Sequence, residues 1–253
     1  MNIEKLREYW QAEESAARIK GWDFSHIDNK VKSKEDEMPL SYKHVIQKYI
    51  KDTDKILDID TGGGEFLLSL KHPRELTSAT EGYPPNVALC QEYLGKQGID
   101  FREMTNYSCM PFEDNEFDLV INRHGAYDAK EIYRILKPGG IFITQQVGEN
   151  NDWDLVKRLL PEARKKFPGH NLREQIKLFE TYGFSILEQN EAYMPIYFYD
   201  TGALVWFAKI IEWEFVDFSV ARCFEQLLEV EKEISEKGFA EGKVHRFYFV
   251  GRK

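Results

Sequence analysis

The opening residues of the chain show helical spacing. Ile3, Leu6, Tyr9 and Trp10 form one apolar stripe within the first twenty residues, and Gly21 supplies a stop. The stretch from Trp22 to Pro39 is polar and charged and predicts a mobile loop. Ser41 is placed to cap a second helix running to Ile50. From Lys55 onward, short apolar runs alternate with helical stretches. Lys55–Ile59, Glu75–Thr80, Asp100–Glu103, Phe117–Asn122 and Gly140–Gln146 read as strands. Phe66–Leu70, Pro85–Lys96 and Ala129–Leu136 read as the helices between them. A further helix, Leu172–Tyr182, ends at Gly183 and leads into strands Phe184–Tyr193 and His245–Arg252.

This alternation predicts an α/β fold, a doubly wound, seven-stranded, mostly parallel sheet with helices on both faces. The organisation it suggests has three parts. Residues 1–50 form an N-terminal helical lid, and 51–194 with 240–253 form the core. Residues 195–239, aromatic at first and then charged and helical, form a cap inserted before the last strand. With 253 residues, 42% of them apolar, one sizeable buried core is within reach.

Charge and cysteine content narrow the class. Against 34 basic side chains stand 43 acidic ones, a net −9 that disfavours bulk adhesion to nucleic acid or anionic lipid. Cys90, Cys109 and Cys223 match no zinc spacing, and no metal site is expected. The first twenty residues lack the apolar stretch of a signal peptide, and no run is long enough to span a membrane. A cytoplasmic protein is expected.

The densest chemistry lies in Ile56-Leu57-Asp58-Ile59-Asp60-Thr61-Gly62-Gly63-Gly64-Glu65-Phe66. A strand delivers a carboxylate at its end, and glycines turn the chain into a helix so that a ligand can lie against the backbone. A phosphate-binding loop needs Gly-Lys-Ser/Thr, and here Glu65 follows Gly64. The dinucleotide pattern started at Gly62 requires glycine where Leu67 stands. The turn therefore suits a ligand without phosphates, which makes a nicotinamide oxidoreductase the weakest rival. Glu81, closing the second strand in Ala79-Thr80-Glu81-Gly82, is placed to accept both ribose hydroxyls of a nucleoside.

These elements, with Met110-Pro111-Phe112-Glu113-Asp114-Asn115-Glu116-Phe117-Asp118 and Leu136-Lys137-Pro138-Gly139-Gly140, resemble the successive motifs of class I S-adenosylmethionine-dependent methyltransferases. They resemble the type 11 branch, in order and at the usual spacing from Lys55 to Gln146. The resemblance implies S-adenosylmethionine as cofactor. Asp58, Asp60, Thr61, Gly62, Gly63 and Gly64 would flank its methionine part. Glu81, Gly82 and Tyr83 would hold or cover the ribose. Asn106 and Tyr107 would face the adenine, with Asn106 standing where the family often has an acid. Asn122 and Arg123 would lie near the sulfonium. Asp60 departs from the family, which has glycine at that position.

Methyl transfer from a sulfonium mainly requires positioning and water exclusion, and a base only for acceptors that must lose a proton. His124, in Asn122-Arg123-His124-Gly125-Ala126-Tyr127-Asp128, is the candidate base, though a hydrogen-bonded turn explains it as readily. Tyr127 and Asp128 are weaker candidates for the base and read more readily as turn and helix cap. Gln145 and Gln146 end the fifth strand, where one could hydrogen-bond a substrate, and read more readily as a solvated strand end. Tyr193, Tyr197, Phe198, Tyr199, Trp206, Phe207, Trp213 and Phe215 fit either an apolar substrate pocket or ordinary core. The expected acceptor is a small molecule. Methylation of rRNA or tRNA is the second reading, supported by Lys157, Arg158, Arg164, Lys165, Lys166, His170 and Arg173. A cofactor-binding regulatory module without turnover is the third. The sequence gives no basis for an oligomeric state.

Overall fold

The computed structural model describes residues 2–19, 23–38 and 41–253. The expected stop at Gly21 and the ends of the Trp22–Pro39 loop fall outside them. By internal contacts the chain divides into two compact units. One comprises residues 40–148, 170–191 and 246–253, and the other 1–39, 149–169 and 192–245.

The first of these units holds the motif-bearing strands. These are β2 (Ile56–Ile59), β3 (Thr77–Glu81), β4 (Asp100–Glu103), β5 (Phe117–Arg123) and β6 (Leu136–Val147). They pair β4-β3-β2-β5-β6, every pair parallel, with Asp58 beside Ala79 and Ile121. Two long strands, β7 (Ser185–Phe198) and β8 (Ala240–Arg252), complete the order β7-β8-β6-β5-β2-β3-β4, with β8 antiparallel to β6. A strand buried on both faces must be apolar on both, and β2 is buried throughout. Leu57, Ile59, Val120 and Phe142 pack on one face with Phe179 and Phe249. Ile56, Leu119, Ile121 and Ile143 pack on the other with Ile46 and Leu94.

Local chemistry sets the helix starts in this unit. Helix α2 (Tyr42–Tyr49) begins at Ser41, whose side chain accepts the His44 N–H. Helices α3 (Glu65–Ser69), α4 (Pro84–Tyr93) and α5 (Ala129–Ile135) follow β2, β3 and β5. Two prolines open α4, where no intrahelical donor is needed. Asp128 caps α5 through the Glu131 N–H, as expected.

The second unit builds its own core from α1 (Ile3–Ala16), α6 (Trp153–Leu159), α8 (Thr201–Ile210) and α9 (Phe224–Lys237). Trp10, Phe198, Trp206, Phe207 and Phe215 are buried in it, while Tyr193 and Tyr199 are exposed. Within this unit, four of the eight aromatics of the cluster, Phe198, Trp206, Phe207 and Phe215, are therefore core packing.

Three expectations require correction. The described strands number eight, not seven, because Val31–Ser33 in the supposed mobile loop forms β1, antiparallel to β7 (Val31 opposite Phe198). Strand β7 passes Tyr193 and Pro195 to reach Phe198. A proline lacks only its own N–H, and the Pro195 carbonyl still accepts the Lys34 N–H at 3.0 Å. Helix α6 was not foreseen. The last pattern-based helix, α7 (Leu172–Thr181), matches its expected position, with Asn171 as cap.

Candidate active site

Parallel α/β sheets bind ligands at the carboxyl ends of their strands. At that edge, β2 and β3 present three carboxylates. Asp58, 4% exposed, accepts the Thr61 hydroxyl at 2.8 Å. Burial, and then the charges of Asp60 and Glu81, push its pKa up to about 7, against the pull of Thr61 and Arg123. Glu81 locks the two turns together. Its Oε2 accepts the Gly62 N–H, and its Oε1 accepts those of Gly82 and Tyr83, each at 2.9 Å. Thr61 N–H adds a bond to the Thr80 carbonyl, and the Cys90 thiol donates to the Gly62 carbonyl.

Asp60 adopts a left-handed backbone, with φ at 56°. That conformation favours glycine, and aspartate is among the few other residues that tolerate it. Its Oδ2 accepts the Tyr107 hydroxyl at 2.7 Å and the Ala126 N–H at 3.2 Å, while its buried Oδ1 has no partner. Burial and the Glu81 charge push its pKa up to about 6. Gly125 makes this arrangement possible, since a Cβ there would fall 2.6 Å from Asp60 Oδ2.

The end of β5 is held rigidly. Asn122, fully buried, donates to the Ile59 carbonyl at 3.2 Å and accepts from Thr144 and Gln146 at 3.1 and 2.6 Å. Its amide is thereby committed to structure. Gln145 and Gln146 are buried, so the expected solvated strand end is replaced by a bonded one. Arg123 is exposed, its guanidinium 5.7 Å from the Phe66 ring. His124 is also left-handed, and its ring meets the Gln145 amide at 3.2 Å. Crowding by protein atoms, and then the Arg246 and Arg123 charges, push its pKa down to about 3. Much of its surface nonetheless stays open to solvent. Both arginines act in the same direction, so a neutral ring at pH 7 does not rest on crowding alone.

Direct hydrogen bonds thus pair Asp58 with Thr61, Asp60 with Tyr107, and Glu81 with Gly62 and Gly82. Tyr83 belongs through its backbone, while its side chain is 61% exposed. Asn106 is exposed, with its side-chain carbonyl used on the Ser108 N–H at 3.1 Å. Among the described residues, no hydrogen bond joins His124 to the three carboxylates. Sequence reasoning missed Gly125 and Tyr42. Tyr42 comes from α2 and is 6% exposed, with its hydroxyl beside the Asn122 backbone but in no hydrogen bond of acceptable geometry.

Two shallow concavities, of about 160 and 410 Å³, lie at the amino ends of β5 and β6, around Tyr49, Lys51, Gly139 and Ile141. Asp118 and Lys137 there are already paired at 2.6 Å, so the reactive groups remain those at the opposite strand ends. Among the described residues, no group of side chains is arranged to hold a metal. No helix among them is long and apolar enough to cross a membrane.

Residues 57–144 match the methyltransferase domain family. Over 124 residues, 42% of this chain, it is 31% identical to the sterol 24-C-methyltransferase of Schizosaccharomyces pombe and covers 31% of that protein. Over 151 residues, 53% of this chain, it is 29% identical to the sterol 4-C-methyltransferase of Caenorhabditis elegans and covers 44% of it. The chain thus spans less than half the length of either relative. In fold it is similar to the YcgJ protein of Bacillus subtilis, with a TM-score of 0.59 at 16% identity, covering 84% of this chain and 97% of that one. Residues 57–144 are thus similar to the methyltransferase domain family, and the parallel strand order that carries them accords with that match.

Proposed function

We propose that the protein binds S-adenosylmethionine at the β2–β3–β5 edge and transfers its methyl group to a small-molecule acceptor. The carrying observation is the cradle itself. A Cβ built on Gly62, where φ is 66°, meets nothing within 4 Å, while Asp58, Asp60 and Glu81 surround the same turn. That combination fits a ligand bearing cations and hydroxyls and repels one bearing phosphates. S-adenosylmethionine supplies an electrophilic methyl group on a sulfonium.

The protein's residues hold and orient. We assign the ammonium to Asp58 and the turn of Gly62 to Gly64. Glu81 accepts three backbone N–H groups and, at 3.4 Å, the Asn86 side-chain amide, so a ribose hydroxyl would replace the long Asn86 contact rather than gain a bidentate grip. Tyr107 and Asn106 flank the adenosine side, and Tyr83 covers it from the surface. Arg123 stands at the acceptor side of β5. For an acceptor that must lose a proton, His124 is the candidate base, unprotonated at pH 7 and weak at a pKa near 3.

The acceptor class follows from relatives whose names specify sterol methylation. The basic segment supports RNA less well, because Arg158 and Lys165 are ion-paired with Glu233 and Glu149. A cytoplasmic setting completes the reading, consistent with three free cysteines. The test is incubation with methyl-labelled S-adenosylmethionine and, in parallel, a sterol and lipid panel, small amines and bulk RNA. Label in the organic-soluble fraction supports the proposal. Label confined to RNA overturns the acceptor assignment.

A further inference from the structure

We infer that Asp60 makes the site selective for the sulfonium-bearing donor over the neutral thioether left after transfer. This rests on the cofactor assignment above and adds a role to one residue within it.

The first observation is that the carboxylate is retained at a cost. Asp60 holds φ at 56°, a left-handed conformation that costs an aspartate more than it would a glycine. The surroundings are shaped to it. Gly125 leaves room for its Oδ2, which could not coexist with a Cβ 2.6 Å away. Tyr107 from one side and the Ala126 N–H from the other fix that same oxygen. The second observation is what remains unsatisfied. Asp60 Oδ1 is buried without a hydrogen bond, and so is the Tyr42 hydroxyl, near Asp58 and Arg123. A buried acceptor without a donor is costly, and a cationic ligand relieves that cost.

The charge pattern points the same way. Glu81 acts on Asp60 as a like charge, and no cation is hydrogen-bonded to it. Position separates Asp60 from Asp58. Asp58 lies within β2 and bonds back to Thr61, whereas Asp60 is clamped from the loop after β5, where methyl transfer would occur. Donor and product share the ammonium, the carboxylate and the nucleoside. They differ in the sulfur, because methyl transfer leaves the bonding pair on sulfur and removes its positive charge. A carboxylate that reads the sulfur therefore favours the donor alone and hastens product release.

The experiment measures calorimetric affinities of wild type, Asp60→Asn and Asp60→Gly for S-adenosylmethionine and S-adenosylhomocysteine. A donor analogue with an amine-bearing carbon in place of the sulfonium serves as a third ligand. In both variants we expect donor and amine analogue to bind at least tenfold more weakly, with the thioether within about twofold of wild type. Equal weakening of all three ligands, or of none, overturns the inference. If folded wild type binds none of them, the cofactor assignment itself falls, an outcome distinct from an unchanged ratio. Asp60→Gly restores the residue that suits the backbone, so loss of fold does not obscure the result.

Discussion

Substituting Asp58 by asparagine should reveal what the buried carboxylate costs the ligand-free protein. Its pKa is raised from an ordinary 3.8 to about 7, chiefly by burial. Between pH 4 and pH 7 the folded chain therefore binds more protons at this site than the unfolded one. Its contribution to stability falls as pH rises through that window and levels off above it. One proton corresponds to about 1.4 kcal/mol per pH unit. From pH 5 to pH 7 the limit is thus about 3 kcal/mol, and sharing of charge with Asp60 and Glu81 lowers it to about 1–2 kcal/mol. Asparagine keeps the volume and the acceptor for Thr61 but cannot ionise. The lowered pKa of His124 gives the opposite slope, and it cancels because it is common to both proteins. Asp118, Glu131 and Glu188, with lowered pKa values, act below this range. Urea unfolding at pH 5 and pH 8 measures the effect. Relative to wild type, Asp58→Asn should gain about 1–2 kcal/mol on going from pH 5 to pH 8. A difference that does not change with pH, or that shrinks as pH rises, would refute the reasoning.

Two further substitutions test the packing that supports the site. Gly64→Ala combines a φ of 85° with a Cβ 2.7 Å from Leu94 Cδ2, and should cost about 2–4 kcal/mol in denaturant unfolding. Arg134→Ala removes the donor to Glu131, Asp114 and the Met110 and Phe112 carbonyls. It should cost about 2 kcal/mol and lower Tm by several degrees, measured by circular dichroism.

Much of the fold could be read because its signals were local. The strand carrying Asp58, the glycine turn and the caps Ser41 and Asp128 all act within a few residues of themselves. The features that escaped depend on partners distant in sequence. Val31–Ser33 is polar and only three residues long, and is a strand because β7 offers it a ladder. The end of β7 was placed at Tyr193, whereas the strand continues past Pro195, whose carbonyl still accepts a bond, to Phe198. At the site, the residue types were legible from the motifs, but their commitments were not. Nothing around Asn122 announces that Thr144 and Gln146 consume its acceptor, or that Gly125 exists to make room for Asp60. Such roles arise from close approach across strands, which spacing along one strand does not encode.

The cofactor assignment itself is tested most directly by calorimetric titration of the folded protein with S-adenosylhomocysteine, repeated on Glu81→Ala. The account predicts micromolar binding by wild type, weakened at least tenfold when Glu81 no longer ties Gly62, Gly82 and Tyr83 together. No binding by a wild-type protein whose circular dichroism shows it folded would contradict it.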